Sequence, residues 1–286
     1  KPDWLTPNTK LYNEIQILWH DLLKEIKNTH HDLEITFAPK IINNSDISHQ
    51  IPLTVMFYEG PISRAYLETL KSLGLRPKKI IELIFTKDIY TKKTIGKWLP
   101  KKLKYNYISS IQKNRIHYWP KYLSKNIPDL KNIIIDQVKT KFSFNNLNIS
   151  NAYSLLPLFE YSDNIEHIFI EDFNDKTLSS YLSNQSQDPI LYTGGGILPR
   201  KLFGINKLKY LHIHPGYLPN IRGADCTLWS FLLTGYTSAS FFLMSPGIDM
   251  GDIIETAWLP PISFNLDIKE YDYQLIYFQK LGKWVH

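Results

Sequence analysis

The apolar positions along the chain change their period several times, and each change marks an element. Between residues 9 and 34, Leu11, Ile15, Ile17, Leu18, Leu22, Leu23 and Ile26 are spaced for one buried stripe, which predicts an N-terminal helix. The period then collapses. Pro52-Leu53-Thr54-Val55-Met56-Phe57-Tyr58 is a short run rich in aromatic and β-branched residues, as a buried strand requires. Glu59-Gly60-Pro61-Ile62-Ser63 breaks it, with Ser63 placed as an N-cap. Leu67, Leu70 and Leu73 then define a helix from Arg64 that ends at Gly74, and Ile80 to Phe85 is a second strand. Strand, helix, strand at this spacing is a βαβ unit and implies parallel strands.

Residues 87 to 155 hold no clean period; they are rich in Lys, Asn and Tyr and read as an insertion, with Ile133-Ile134-Ile135 as a short strand. Order returns at His167-Ile168-Phe169-Ile170, followed by a helical pattern through Leu178 and Leu182. Pro189 to Thr193 is a strand ending in Gly194-Gly195-Gly196; Leu208 to His214 is another. A helix from Asp225 to Leu233 and a strand from Ala239 to Met244 continue the alternation, without internal repeats. The expected fold is α/β: an open, mostly parallel Rossmann-like sheet with helices on both faces and a helical or irregular insertion. Its domains are an N-terminal helical extension (1–50), the α/β domain (51–264, insertion near 87–155) and a C-terminal segment (265–286). A ligand should lie beyond the carboxyl ends of the strands.

Composition narrows the function classes. At 286 residues and 33.5 kDa the chain is one large domain or two modest ones. An apolar share of 43% is too high for disorder, and the aromatic share of 14% promises a large core and an aromatic-lined cavity. No apolar run reaches the roughly 18 residues of a membrane span, so a transmembrane protein is excluded. The single cysteine, Cys226, excludes an intramolecular disulfide framework and a Cys-based zinc cluster, and fits a reducing, cytoplasmic setting. Nothing near Lys1 reads as a signal peptide, and Trp284-Val285-His286 stops without a cap, which allows further chain.

A net charge of +6 invites a nucleic-acid reading. The excess is concentrated, however, in Lys87, Lys92, Lys93, Lys97, Lys101, Lys102 and Lys104, while residues 189 to 286 are near neutral. A solvated lysine face accounts for this better than an anionic partner does.

Three features carry candidate chemistry. His212-Ile213-His214 ends a strand, so a period of two sends both imidazoles from one face, and Pro215-Gly216 turns the chain away at a rim. Gly247-Ile248-Asp249-Met250-Gly251 suggests a tight loop presenting a carboxylate at a strand end. Thr193-Gly194-Gly195-Gly196-Ile197-Leu198-Pro199 would let a flat ligand approach bare backbone, though it lacks the GxGxxG of a dinucleotide cradle. Each alone has an ordinary structural reading, as a hydrogen-bonded strand end, a turn or a loop. Their order beside the strand ends of one sheet outweighs those separate readings.

The stretch His212-Ile213-His214-Pro215-Gly216-Tyr217-Leu218-Pro219-Asn220-Ile221-Arg222-Gly223 resembles the HPSLLP-x-x-RG segment of the 10-formyltetrahydrofolate-dependent formyltransferases. Gly247 to Ile254 is similar to that family's G-x-D-x-G-x-I-I segment, and Thr193 to Pro199 to its glycine-containing loop with a following Ile-Leu-Pro. The likeness covers about Asp188 to Ile254. The family includes enzymes acting on a purine-precursor amine, on initiator methionyl-tRNA and on amino sugars, and a hydrolase that removes the formyl group. The resemblance implies that His214 and Asp249 match the catalytic histidine and aspartate. It places Gly194, Gly195, Gly196, Ile197 and Leu198, with Gly216, Tyr217, Leu218 and Pro219, around the folate. Two departures stand out: His212 replaces the family's Asn, and Gly216 its Ser, the milder change. An Asn carboxamide donates to the formyl oxygen; an imidazole does so only if the correct nitrogen carries the proton.

The chemistry asks for these residue types independently. A neutral amine attacks the formyl carbon, negative charge gathers on the oxygen, and a proton must pass from the attacking nitrogen to the departing one. A histidine near neutral pKa contributes on the order of 10²–10⁴ in rate to such a transfer. Asp249 facing His214 would favour its imidazolium and fix its tautomer. His212 and His214 are the expected oxyanion donors, each worth roughly 2.7–4 kcal/mol in comparable sites. Arg222, Asp225, Thr227 and Trp229 are the candidates for the acceptor, against capping by Asp225 and core packing by Trp229. The partners expected are folate and a small amine, best read as an amino sugar on a nucleotide. No metal and no membrane are expected, and nucleic acid is disfavoured. The rivals are a catalytically altered folate or substrate binder and a metal hydrolase using His212, His214 and Asp249.

Overall fold

The computed structural model describes residues 49–88, 91–126, 128–142, 151, 154–205 and 207–260, with 13, 14, 17, 18, 20, 21 and 24. Its elements are β1 (His49–Tyr58), α1 (Pro61–Ser72), β2 (Leu75–Phe85), α2 (Lys101–Ile116), α3 (Tyr118–Asn126), α4 (Pro128–Phe142) and β3 (Ile165–Ile170). There follow α5 (Lys176–Ser183), β4 (Ile190–Tyr192), α6 (Arg200–Phe203), β5 (Tyr210–His214), α7 (Cys226–Thr234), β6 (Thr237–Met244) and β7 (Gly251–Leu259). The strands form one seven-stranded sheet in the order β3-β2-β1-β4-β5-β6-β7. Pairs from β3 to β5 are parallel; β5–β6 and β6–β7 are antiparallel. The expected α/β class and mostly parallel open sheet are what the structure has.

Alternation in β1 divides the core. Met56 joins Ile81, Leu83, Ile168 and Ile170 on one face, under Leu178 and Leu182 of α5 and Leu202 of α6. Val55 and Phe57 point the other way, with Ile80 and Leu191, under Leu67 of α1 and Tyr161. Burial on both faces is why these strands read as continuous apolar runs. The chain winds outward from β1 in both directions, so β1 and β4 flank the point where strand order reverses, the position at which open α/β sheets hold ligands.

Several expectations change. Gly60 is the N-cap of α1 and Pro61 opens the helix, where its fixed φ and missing N–H fit. Ser63 lies inside the first turn, buried, and donates to the Thr193 carbonyl at 3.0 Å. Ile133-Ile134-Ile135 is helical, within α4, and only Ile134 of the three is buried. The insertion is thus helical, carrying α2, α3 and α4. Most of the predicted helix over residues 9 to 34 lies outside the described residues. Those described are helical but exposed, Ile17 and Leu18 among them, where a buried stripe was expected. The segment 265–286 lies outside the described residues. Among those described, no helix is long and apolar enough to cross a membrane.

Candidate active site

The loop after β4 is built around a ring. Tyr192, buried, donates its hydroxyl hydrogen to the Gly195 carbonyl at 3.1 Å, folding Gly194 over the phenol. A Cβ at Gly194 would lie 2.9 Å from that ring, whereas one at Gly195 would meet nothing within 4 Å. Thr193 ties the start of the loop to β1, its hydroxyl donating to the Met56 carbonyl at 3.2 Å. The consequence is a split: Gly195, Gly196 and Ile197 are exposed at the reversal point, while Gly194 and Leu198 are buried, Leu198 within the core. An open backbone edge is therefore left at Gly195, just beyond the carboxyl end of β4.

Both histidines sit on β5, next to this loop, and the structure specifies their tautomers. His212 Nδ1 lies 2.8 Å from the Tyr192 carbonyl oxygen, which can only accept, so Nδ1 carries the hydrogen. His214 Nε2 likewise donates to the Ile221 carbonyl at 3.0 Å, and its Nδ1 faces Asp249 Oδ1 at 3.4 Å. The other carboxylate oxygen, Oδ2, accepts the Gly223 backbone N–H at 2.7 Å. The expected meeting of His214 with Asp249 is therefore present, although the two are distant in the chain. The N–H of each imidazole is directed at a backbone carbonyl.

Burial lowers the pKa of both imidazoles. For His212 desolvation outweighs the Tyr192 carbonyl, and nearby His214 lowers it further against a smaller pull from Asp249. For His214 desolvation outweighs Asp249 and the Ile221 carbonyl, which both favour the charged form. Both rings are neutral near pH 7 in this state, each with one lone pair.

The turn after β5 is held from the next strand. Ser240, fully buried and paired with His214 in the β5–β6 register, donates to the Gly216 carbonyl at 2.6 Å and accepts the Leu218 N–H at 2.9 Å. Gly216 is boxed in: a Cβ there would lie 2.5 Å from the Ile221 oxygen, 2.7 Å from His214 Nε2 and 2.9 Å from Cys226 Cβ. Its exchange with Ser is not a mild one in this chain. Tyr217 stacks on Trp258 of β7 with centroids 4.5 Å apart, Leu218 is buried, and Pro219 is exposed after a cis peptide.

At α7 the ordinary readings fail in part. Asp225 makes no capping hydrogen bond and adopts φ 58°, and Trp229 is 50% exposed rather than packed in the core. Arg222 is exposed as well, while Thr227 is buried. Among the described residues no three His, Cys, Asp or Glu side chains are grouped as metal ligands are.

A second polar centre escaped the sequence reading. Glu59, after β1, accepts Arg64 Nε at 3.0 Å and Nη2 at 2.7 Å, and His117 Nε2 lies 2.9 Å from it. Burial pushes the Glu59 carboxyl up, but hydrogen bonds from His117 and Arg64 and their charge hold it at about 2. Arg64 also donates to the Leu156 carbonyl and lies over the Phe57 ring. Nearby, Glu82 accepts Tyr105 at 3.0 Å and contacts His167 Nδ1 at 2.7 Å. These contacts dock the insertion on the α1 face of the sheet. No spacing signal links them, because the partners come from different elements. A polar cavity of about 320 Å³ between α2 and α3, lined by Tyr105, Ser109, Lys113 and Lys121, includes none of the expected site residues.

No family model matches the chain, and no curated protein does. Solved structures of formyltransferases align with it over up to most of its length. A phosphoribosylglycinamide formyltransferase from Anaplasma phagocytophilum matches at 13% identity over 82% of this chain and 84% of that one, with a TM-score of 0.41. A sugar N-formyltransferase from a Shewanella species matches at 18% identity over 55% of this chain and 63% of that one, TM-score 0.31. The formyltransferase PseJ from Anoxybacillus kamchatkensis, solved with UDP-4,6-dideoxy-4-formamido-L-AltNAc and tetrahydrofolate, matches at 24% identity over 42% of this chain and 67% of that one, TM-score 0.28.

Proposed function

We propose that this protein transfers a formyl group from 10-formyltetrahydrofolate to a primary amine. The observation that carries the reading is the contact of His214 Nδ1 with Asp249 at 3.4 Å, at the carboxyl end of β5 and with His212 on the same face. A proton on His214 Nδ1 has its charge balanced by Asp249 and is placed to pass to the departing folate nitrogen. The exposed backbone of Gly195 and Gly196, with Ile197, supplies a surface for the folate, and the loop from Gly216 to Pro219, pinned by Ser240, borders it. When bound, the folate supplies the activated formyl carbon; the chain positions it and moves protons. Residues 51–264 are the catalytic unit in this reading, with the insertion near 87–155.

The acceptor proposed is an amino sugar on a nucleotide. Trp229, half exposed, offers a stacking face for a base or sugar, and Arg222 a cation for a phosphate. Cys226, the single cysteine of the sequence, is buried and its thiol donates to the Gly223 carbonyl, which fits the cytoplasmic setting proposed. The test is mass spectrometry of candidate amines incubated with protein and 10-formyltetrahydrofolate, among them nucleotide-linked amino sugars. The expected result is the gain of one CO unit on such a sugar, reduced on the order of 10²–10⁴ in His214→Ala. Gain on another amine alone would replace the acceptor; no gain on any amine would remove the activity. One observation favours a second reading, a folate binder without turnover: the N–H of His212 is given to Tyr192 rather than presented to a substrate oxygen. Calorimetric folate binding without CO gain would select it.

A further inference from the structure

We infer that His212 works as a proton acceptor, its Nε2 taking the proton that the attacking amine loses; the inference rests on the formyl-transfer reading. A neutral imidazole has one N–H, and the geometry commits it to Nδ1, 2.8 Å from the Tyr192 carbonyl oxygen. That carbonyl is anchored, since Tyr192 closes β4, which pairs with β1 and with β5. The tautomer is thus set by the sheet itself. Nε2 is then left with a lone pair on the opposite side of the ring, and among the described residues it has no hydrogen-bond partner.

The groups around it agree with this role. His214 lies beside it on β5, and Asp249 reaches in from the β6–β7 turn. From β4 comes the Tyr192 ring, 5.6 Å away with its hydroxyl bound to Gly195, and from β6 the Phe242 ring at 5.9 Å. Burial keeps the imidazole neutral and able to accept. An Asn at this position offers an N–H₂ donor to a formyl oxygen; His212, held as it is, offers an acceptor.

The step balances as follows. The amine nitrogen lone pair forms the new C–N bond, and the carbonyl π pair moves to the formyl oxygen. The amine proton goes to His212 Nε2, giving an imidazolium. The oxygen pair then re-forms C=O, and the old C–N bond breaks with its pair on the folate nitrogen. The proton passes from His212 Nε2 to the bare Nδ1 of His214, beside Asp249, and from there to the departing nitrogen, which leaves both imidazoles neutral as they began.

The test combines a spectroscopic and a kinetic readout on the intact protein. Nitrogen-15 NMR of histidine-labelled protein near neutral pH should show His212 protonated at Nδ1 and bare at Nε2. A proton on Nε2 instead would overturn the inference, and this measurement needs neither a variant nor a known acceptor. For the amine found by mass spectrometry, His212→Asn should lower kcat on the order of 10²–10⁴ with KM little changed. Added imidazole should restore turnover to His212→Ala. An unimpaired His212→Asn enzyme would make His212 dispensable as a base. Failure of every amine to gain a CO unit would strike the formyl-transfer reading, and the base role with it, while leaving the tautomer as an independent result.

Discussion

Gly216 illustrates how a single atom decides the site. A side chain there would enter the space of His214 Nε2, the Ile221 oxygen and Cys226 Cβ, all within 2.9 Å of the added carbon. Gly216→Ser should therefore push the turn off β5 and break the His214–Ile221 hydrogen bond. The expected loss is about 1–3 kcal/mol, the usual result of overfilling a packed site. Urea unfolding gives the stability change and turnover the effect on His214; a variant as stable as the parent would show that the turn yields freely. Residue-scale information was unevenly legible. The meeting of His214 and Asp249 was legible because each stands in a short motif beside a strand end, and glycines flank the aspartate because its loop is tight. Ser240 could not be. A serine in an apolar strand gives no signal, yet here it satisfies both a carbonyl and an N–H of the site's turn.

Among the elements, those with a uniform environment were readable. β1, β2 and β4 are buried on both faces and show as apolar runs, and α5 showed through Leu178 and Leu182, both fully buried. α4 misled because Ile133-Ile134-Ile135 is locally β-like, while the run lies inside a helix with Asp129 in its first turn and Lys139 and Lys141 in its last, charges that favour the helix at each end. β7 was missed for the opposite reason. It is an edge strand with Ile253 and Ile254 both exposed, and a register shift opposite Phe241 and Phe242 breaks the period of two. That strand nevertheless fixes the turn that carries Asp249, through its first residue. Gly251 has φ 140°, and a Cβ on it would lie 1.8 Å from the Leu243 carbonyl oxygen, so Ala cannot enter without parting β6 from β7. Gly251→Ala should cost at least about 1–3 kcal/mol from backbone strain alone and carry Asp249 away from His214. The check is kcat for formyl transfer beside the unfolding midpoint: lost stability with full kcat would detach the strand from the chemistry.

Across the whole molecule, the two polar centres share one thermodynamic consequence. Glu59 titrates at about 2 in the fold against 4.5 when unperturbed, so its contribution is complete above 4.5 and is lost as pH falls toward 2. His212 and His214 are lowered from 6.5, so below that pH the unfolded chain binds protons that the fold refuses. All three make the unfolded state the better proton binder, and stability must fall with pH in two stages. The upper stage starts near 6.5 and belongs to the histidines; the lower starts near 4.5 and belongs to Glu59. The urea midpoint measured from pH 8 to 3 should show both. His212→Asn should flatten the upper stage, because an amide has no proton to take up. Glu59→Gln should flatten the lower one, at the expense of stability near neutrality, where Arg64 and His117 lose their carboxylate. A His212→Asn protein with an unchanged upper stage would mean that solvent reaches His212 freely, and the neutral imidazole on which the proton transfer depends would be gone.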